Sequence, residues 1–186
     1  MRKIILIIST LFLFGCQHQY DRVAELDAVW EKENRELFNK IGVREYTNLT
    51  KEQAVNAMLI AFQRLDIVID SSDYKAGIIA GSATAPKPLN YEEFESVKVI
   101  EDPSVRQYTF LFTWRLTGFD SKFNAVFLDI PNGVQISLRG KLNYRGGNDI
   151  IPVSNFPPKA SEIAIRKIWN EFEKVEFIQK ATLKKR

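Results

Sequence analysis

The chain opens on an apolar run, Ile4 to Phe14, which follows Met1-Arg2-Lys3 and stops at Gly15-Cys16. Its pattern then changes. From Tyr20 to Ile41, Val23, Leu26, Trp30, Leu37 and Ile41 recur at roughly helical spacing among charged residues, which predicts an amphipathic helix with Gly42 as its C-cap. Glu33 interrupts the stripe, so two readings stand: a partner-binding or coiled-coil segment, and a helix lying against its own domain. After a short strand, Arg44 to Thr47, the run Thr50-Lys51-Glu52-Gln53 fits a capping box, in which two side chains satisfy two orphan backbone donors. The helix it starts carries Val55, Met58, Phe62 and Leu65 on its buried face. Ala54, Ala57 and Ala61 lie beside them and allow close approach to a sheet.

Period-two alternation dominates the rest. Ile67-Val68-Ile69 predicts a buried strand, Ser71-Ser72-Asp73 a turn, and Gly77 to Ser82 the returning strand. Pro86 and Pro88 close that hairpin, with an irregular segment around Asn90 to Glu95 and an extended one from Ser96 to Ile100. Tyr108 to Leu116 reads as a strand with Tyr108, Phe110, Phe112 and Trp114 on one face, and Gly118 to Lys122 as a turn. Asn124 to Ile130 and Val134 to Leu142 form two more strands around Pro131-Asn132-Gly133, a strong hairpin signal because Asn-Gly tolerates positive φ. Val134, Ile136, Leu138 and Leu142 face inward; Gln135, Ser137, Arg139 and Lys141 face outward. Such one-sided alternation marks an antiparallel sheet with one wet face. Tyr144 to Pro158 is a loop, serving either as a solvated crossover or in binding. A final helix, about Lys159 to Ile178, presents Ile165, Ile168, Trp169, Phe172 and Val175 to the sheet. The fold class is therefore α+β, an antiparallel sheet with helices packed on one face.

The N-terminal run is too short to span a bilayer comfortably and has the charged start and small-residue ending of a secretory signal. Leu13-Phe14-Gly15-Cys16 resembles the bacterial lipobox. That resemblance implies cleavage before Cys16, the chain's single cysteine, and attachment of acyl chains, palmitate among them, to the new N-terminus. Gln17, where an aspartate would signal inner-membrane retention, implies an outer-membrane lipoprotein facing the periplasm. The organisation expected is a signal peptide at 1–15, a lipidated tether and amphipathic helix at 16–43, one α+β domain at 44–178 and a basic tail at 179–186. Several acyl chains anchor firmly. Losing Arg2 and Lys3 with the signal lowers the net charge from +3 to about +1. The remaining basic excess sits in Lys180, Lys184, Lys185 and Arg186, so nucleic acid is not an expected partner.

The stretch from Arg44 to Ala83 places an arginine-aromatic strand, a helix, an Ile-x-Ile strand and a Gly-Ile-Ile-Ala strand in order. In that order and spacing, residues 44 to 178 resemble the helix-grip, or TBP-like, domains of the lipoprotein C subunit of the outer-membrane β-barrel assembly machinery. That subunit has two such domains, and this chain would hold one. The resemblance implies a structural role in the envelope and brings no catalytic residues.

Residue chemistry points the same way. His18, the single histidine, lies two positions from Cys16, which removes Ser-His-Asp and histidine-metal chemistry from a folded cleft. No nucleophile elbow, P-loop or GxGxxG occurs, and Gly146-Gly147 lacks a strand-to-helix context. Asp120 and Asp129 are the carboxylates with any claim to an acid-base pair. Glu92, Glu93, Glu95, Glu101 and Asp102 read as a solvated acidic segment, having no calcium-loop spacing. The expectation is a non-enzyme without cofactor or metal, acting as an adaptor to envelope proteins. The alternative is a lipoprotein that grips an apolar ligand between sheet and C-terminal helix.

Overall fold

The computed structural model describes residues 2–108, 119–144 and 153–183. Nine elements follow in order: α1 (Arg2–Ile41), β1 (Val43–Thr47), α2 (Lys51–Arg64), β2 (Val68–Asp73), β3 (Ile78–Thr84), α3 (Tyr91–Tyr108), β4 (Phe119–Ile130), β5 (Gly133–Tyr144) and α4 (Pro158–Leu183). The five strands form one antiparallel sheet in the order β1-β5-β4-β3-β2. The chain is thus α+β, with four helices packed against an open antiparallel sheet.

The core lies between one sheet face and α2 and α4. β4 sends Ser121, Phe123, Ala125 and Phe127 into it, and β5 sends Val134, Ile136 and Leu138. They meet Val55, Met58 and Phe62 of α2 and Ile165, Ile168, Trp169, Phe172 and Val175 of α4, as the two stripes predict. The capping box at Thr50 is formed in full: Thr50 Oγ1 accepts from Gln53 N at 3.2 Å, and Gln53 Oε1 accepts from Thr50 N at 3.0 Å. Asn132 adopts φ 64 in the β4–β5 turn. β1 is locked to α4 by one cluster. The Tyr46 hydroxyl donates to Glu173 Oε1 at 3.0 Å, the Arg44 guanidinium pairs with the same carboxylate, and that guanidinium lies 4.9 Å from the centre of the Trp169 ring. Burial raises the Tyr46 hydroxyl above the ordinary tyrosine value, and the Glu173 charge adds to the rise.

Several boundaries differ from the sequence reading. The segment expected to be irregular and then extended, Asn90 to Ile100, is the first half of α3. Its start is a second capping box: Asn90 Oδ1 accepts from Glu93 N at 2.8 Å, and Glu93 Oε2 from Asn90 N at 2.7 Å. Only a narrow stripe, Val97, Glu101 and Val105 at four-residue steps, is buried, and a buried glutamate within it hides the periodicity. Ser71, Ser72 and Asp73 complete β2 instead of turning. The turn comes one step later, where Asp73 Oδ1 accepts from Lys75 N and Ala76 N, both at 2.9 Å. Phe119 to Lys122, expected in a turn, begin β4, with Ser121 buried opposite Leu142. Tyr108 ends α3 instead of starting a strand, and the rest of that expected strand, 109–116, lies outside the described residues, as does 145–152 of the long loop.

Gly42 follows α1, but not for a left-handed backbone. A Cβ there would lie 2.6 Å from the Phe38 carbonyl oxygen and 2.7 Å from that of Leu138, so glycine is needed for space where helix, strand and sheet edge converge.

Candidate functional site

Three places in the fold bear on function: the docked part of α1, the sheet face away from α2 and α4, and a cleft among α1, α3 and α4. The helix carrying Cys16 runs unbroken to Ile41, and from Val23 onward it lies on its own domain. Val23, Leu26 and Trp30 are buried with Val105 of α3 and Val153 of the crossover in a small core separate from the main one, with Tyr108 packed beside it. Two polar residues tie the same helix face to the crossover. Asp27 Oδ1 accepts from the backbone N–H of Ser154 and of Asn155, both at 2.9 Å, and Asn34 Nδ2 donates to the Phe156 carbonyl at 2.7 Å. Of the two readings of this helix, the structure has the one in which it rests on its own domain. Leu37 and Ile41, expected in the stripe, are only half-buried, while Asn34 and Phe38 take its fully buried positions.

The opposite face of the sheet carries no described helix. Across it run Val43, Ser137, Val126 and Ile78, directly paired from β1 through β5 and β4 to β3. Val43 is 37% exposed, Ile78 43% and Leu128, two residues along β4, 53%. Toward the other end Lys122 and Lys141 stand directly opposite each other, both exposed. Like charges so placed oppose pairing slightly. Arg139 leaves this face at the sheet edge, donating to Asn39 Oδ1 at 3.2 Å and sitting 5.7 Å from the Phe38 ring centre.

The cleft has a volume of about 410 Å³. Leu37, Ile100 and Pro158 give it apolar walls, with Glu33, Glu36 and Glu101 among its carboxylates. Glu101 accepts from Lys159 N at 2.8 Å, so it caps the N-terminus of α4. Burial pushes its carboxyl above the usual carboxylate range; the Lys159 N–H opposes that, and the Glu33 charge adds to it. Glu93 goes the other way, since bonds from Lys167 and the Asn90 N–H outweigh its desolvation and hold it below that range.

The acidic residues of α3 do not converge. Glu93 pairs with Lys167 at 2.7 Å, Glu95 with Lys98 at 2.6 Å and Asp102 with Arg106 at 2.6 Å. Asp120 and Asp129 stand near opposite ends of β4, about 30 Å apart along the strand, and Asp129 pairs with Lys51 at 3.1 Å. Among the described residues no group of three or more His, Cys, Asp and Glu could hold a metal ion, and no helix is long and apolar enough to cross a membrane.

Sequence reasoning missed the polar grip of Asp27 and Asn34 and the capping by Glu101. For Asn34 a signal existed, because it lies midway between Trp30 and Phe38 at four-residue steps. Nothing in sequence pairs Asp27 with a segment more than a hundred residues away.

No family model matches the chain, and no curated protein matches it significantly. Among solved structures it is similar to a DUF4468 family protein from Bacteroides ovatus, at 16% identity over 55% of this chain and 54% of that one, with a TM-score of 0.27. The chain spans about half the length of that protein.

Proposed function

We propose that this protein is an outer-membrane lipoprotein, acylated at Cys16 and facing the periplasm, whose α+β domain is a non-catalytic structural or adaptor component of an envelope assembly for secretion or outer-membrane biogenesis. The observation that carries the reading is the sheet face away from α2 and α4, where Val43, Ile78 and Leu128 remain exposed and which no described helix covers. A sheet face with such an apolar strip is a surface suited to a protein partner. The lipobox resemblance at Cys16 and the likeness of residues 44–178 to helix-grip domains of an envelope lipoprotein support the location.

A second reading, an apolar ligand gripped between sheet and α4, draws on the aromatic content of that layer. Phe62, Phe123, Phe127, Trp169 and Phe172 are fully buried there, with Phe62–Phe123 and Trp169–Phe172 in edge-on contact, which favours the adaptor. The test is affinity purification of the tagged, lipidated protein from native envelopes in mild detergent, alongside a Leu128→Arg variant. Envelope proteins in stoichiometric amounts that are lost with Leu128→Arg support the adaptor. Recovery of the protein alone, with extractable lipid, favours the ligand reading.

A further inference from the structure

We propose that the domain stands on the bilayer by the end where α1, α3 and the crossover meet, with the β4–β5 hairpin tip pointing away from the membrane. The inference rests on lipidation at Cys16 and adds what the docked helix does to the geometry of that anchor. Cys16 lies seven positions before Val23, the first buried side chain of α1 among those described, and both are on one helix. Seven helical steps are about 10 Å, so the acylated residue is separated from the folded domain by less than the width of a helix pair. A lipoprotein on a long unstructured tether could face any direction. This one has no such freedom while α1 is docked.

Which end of the fold is held follows from the edge of β5. Asp27 binds Ser154 N, and the Ser154 carbonyl accepts from Leu142 N at 3.1 Å, near the last residues of the strand. Fifteen positions further along the chain, the Gly42 carbonyl accepts from Leu138 N at 2.7 Å. β1 then pairs with β5 down to Thr47 and Gly133, and Asn48 N donates to the Asn132 carbonyl at 2.8 Å. The chain from Asp27 to Asn48 therefore tracks β5 in one direction, from its Tyr144 end to the hairpin tip. The N-terminal part of α1 emerges beyond the Tyr144 end, beside Val105 and Tyr108 of α3. From Leu142 to Gly133 the strand alone is about 30 Å long, so the tip is held well clear of the lipid. A partner reached at the tip would have to extend from the membrane, whereas one reached at the α3 end would lie at its surface.

The experiment uses the full chain made with its own signal, extracted and reconstituted into phosphatidylethanolamine–phosphatidylglycerol vesicles bearing a headgroup energy-transfer acceptor. Donor dyes are placed on Ser104→Cys, exposed on α3 beside Val105, and on Asn132→Cys at the tip. The proposal predicts several-fold more efficient transfer from position 104 than from 132. Inserting a flexible Gly/Ser segment of about fifteen residues after Gln19 should make the two alike, because a coil of that length lets the domain tumble. Equal transfer from both sites without the insertion, or stronger transfer from 132, overturns it. Failure of the lipidation reading would show differently: the protein would not float with the vesicles, and Cys16 would itself take dye.

Discussion

Asp27 on α1 and Ser154 on the crossover are joined by a 2.9 Å hydrogen bond from backbone N–H to carboxylate, and the same oxygen takes the N–H of Asn155. One side chain thus fastens α1 to the segment that links β5 to α4. Removing it with Asp27→Ala strands two half-buried donors, at a cost of about 1–3 kcal/mol. Asp27→Asn retains an acceptor oxygen and should lose less. Urea denaturation of the acyl-free domain measures both, and equal losses for the two variants would contradict the role given to the oxygen.

The two hydrophobic cores predict two kinds of destabilisation. Trp30 belongs to the small cluster with Val105 and Val153, and Phe62 to the main core. Truncating a buried aromatic to alanine costs about 3–5 kcal/mol. For Trp30→Ala we expect the damage to be local, with amide exchange accelerating in the 23–34 part of α1 while β4 and β5 keep their protection. For Phe62→Ala protection should fall throughout. Uniform loss in both variants would mean that the two clusters unfold as one unit.

Glu101 makes stability depend on pH in a definite direction. Its folded-state value is raised above the ordinary carboxylate value of about 4.3, chiefly by burial. Its contribution is therefore fully present below that ordinary value and is lost as pH rises through the raised one. Glu101→Gln keeps an oxygen for the Lys159 N–H and removes the charge. The variant should be at least as stable as the parent at pH 7 and show a flatter stability profile through mild acid, followed by thermal melts from pH 4 to 8. A parent profile that instead gains stability through that range, and loses the gain in the variant, would contradict the assignment.

Gly133 has no room for a side chain. A Cβ there would lie 2.0 Å from the Tyr46 carbonyl oxygen, where β1 ends against the hairpin. Gly133→Ala must push β1 off β5, and overpacking of this kind costs about 1–3 kcal/mol. Thr50→Ala, which breaks the α2 capping box, should cost about 1 kcal/mol and serves as the control for a loss that moves no strand.

Legibility in the sequence followed how local the cause was. The α2 start at Thr50, the turn at Asn132 and the apolar stripe of α4 are set by residues within a few positions of one another, and each could be read directly. The strands of the β4–β5 hairpin could be read because their alternation reports a half-buried face. α3 was hidden because its buried stripe includes Glu101, while Val99 and Ile100, which look like core, point outward. The grip of Asp27 and Asn34 on residues 154–156 is a long-range backbone contact, and backbone groups leave no mark in a sequence. The proposed lipidation rests on the other extreme, a short local motif at Cys16, and both the proposed function and the proposed orientation on the membrane depend on it.

The most direct test is therefore the mass of the N-terminal peptide from protein extracted from membranes. The account predicts a chain beginning at Cys16 and carrying acyl chains on that residue, with a Cys16→Ser variant that keeps residues 1–15 and carries no acyl chain. A chain still beginning at Met1, or a mature chain with an unmodified Cys16, would contradict it.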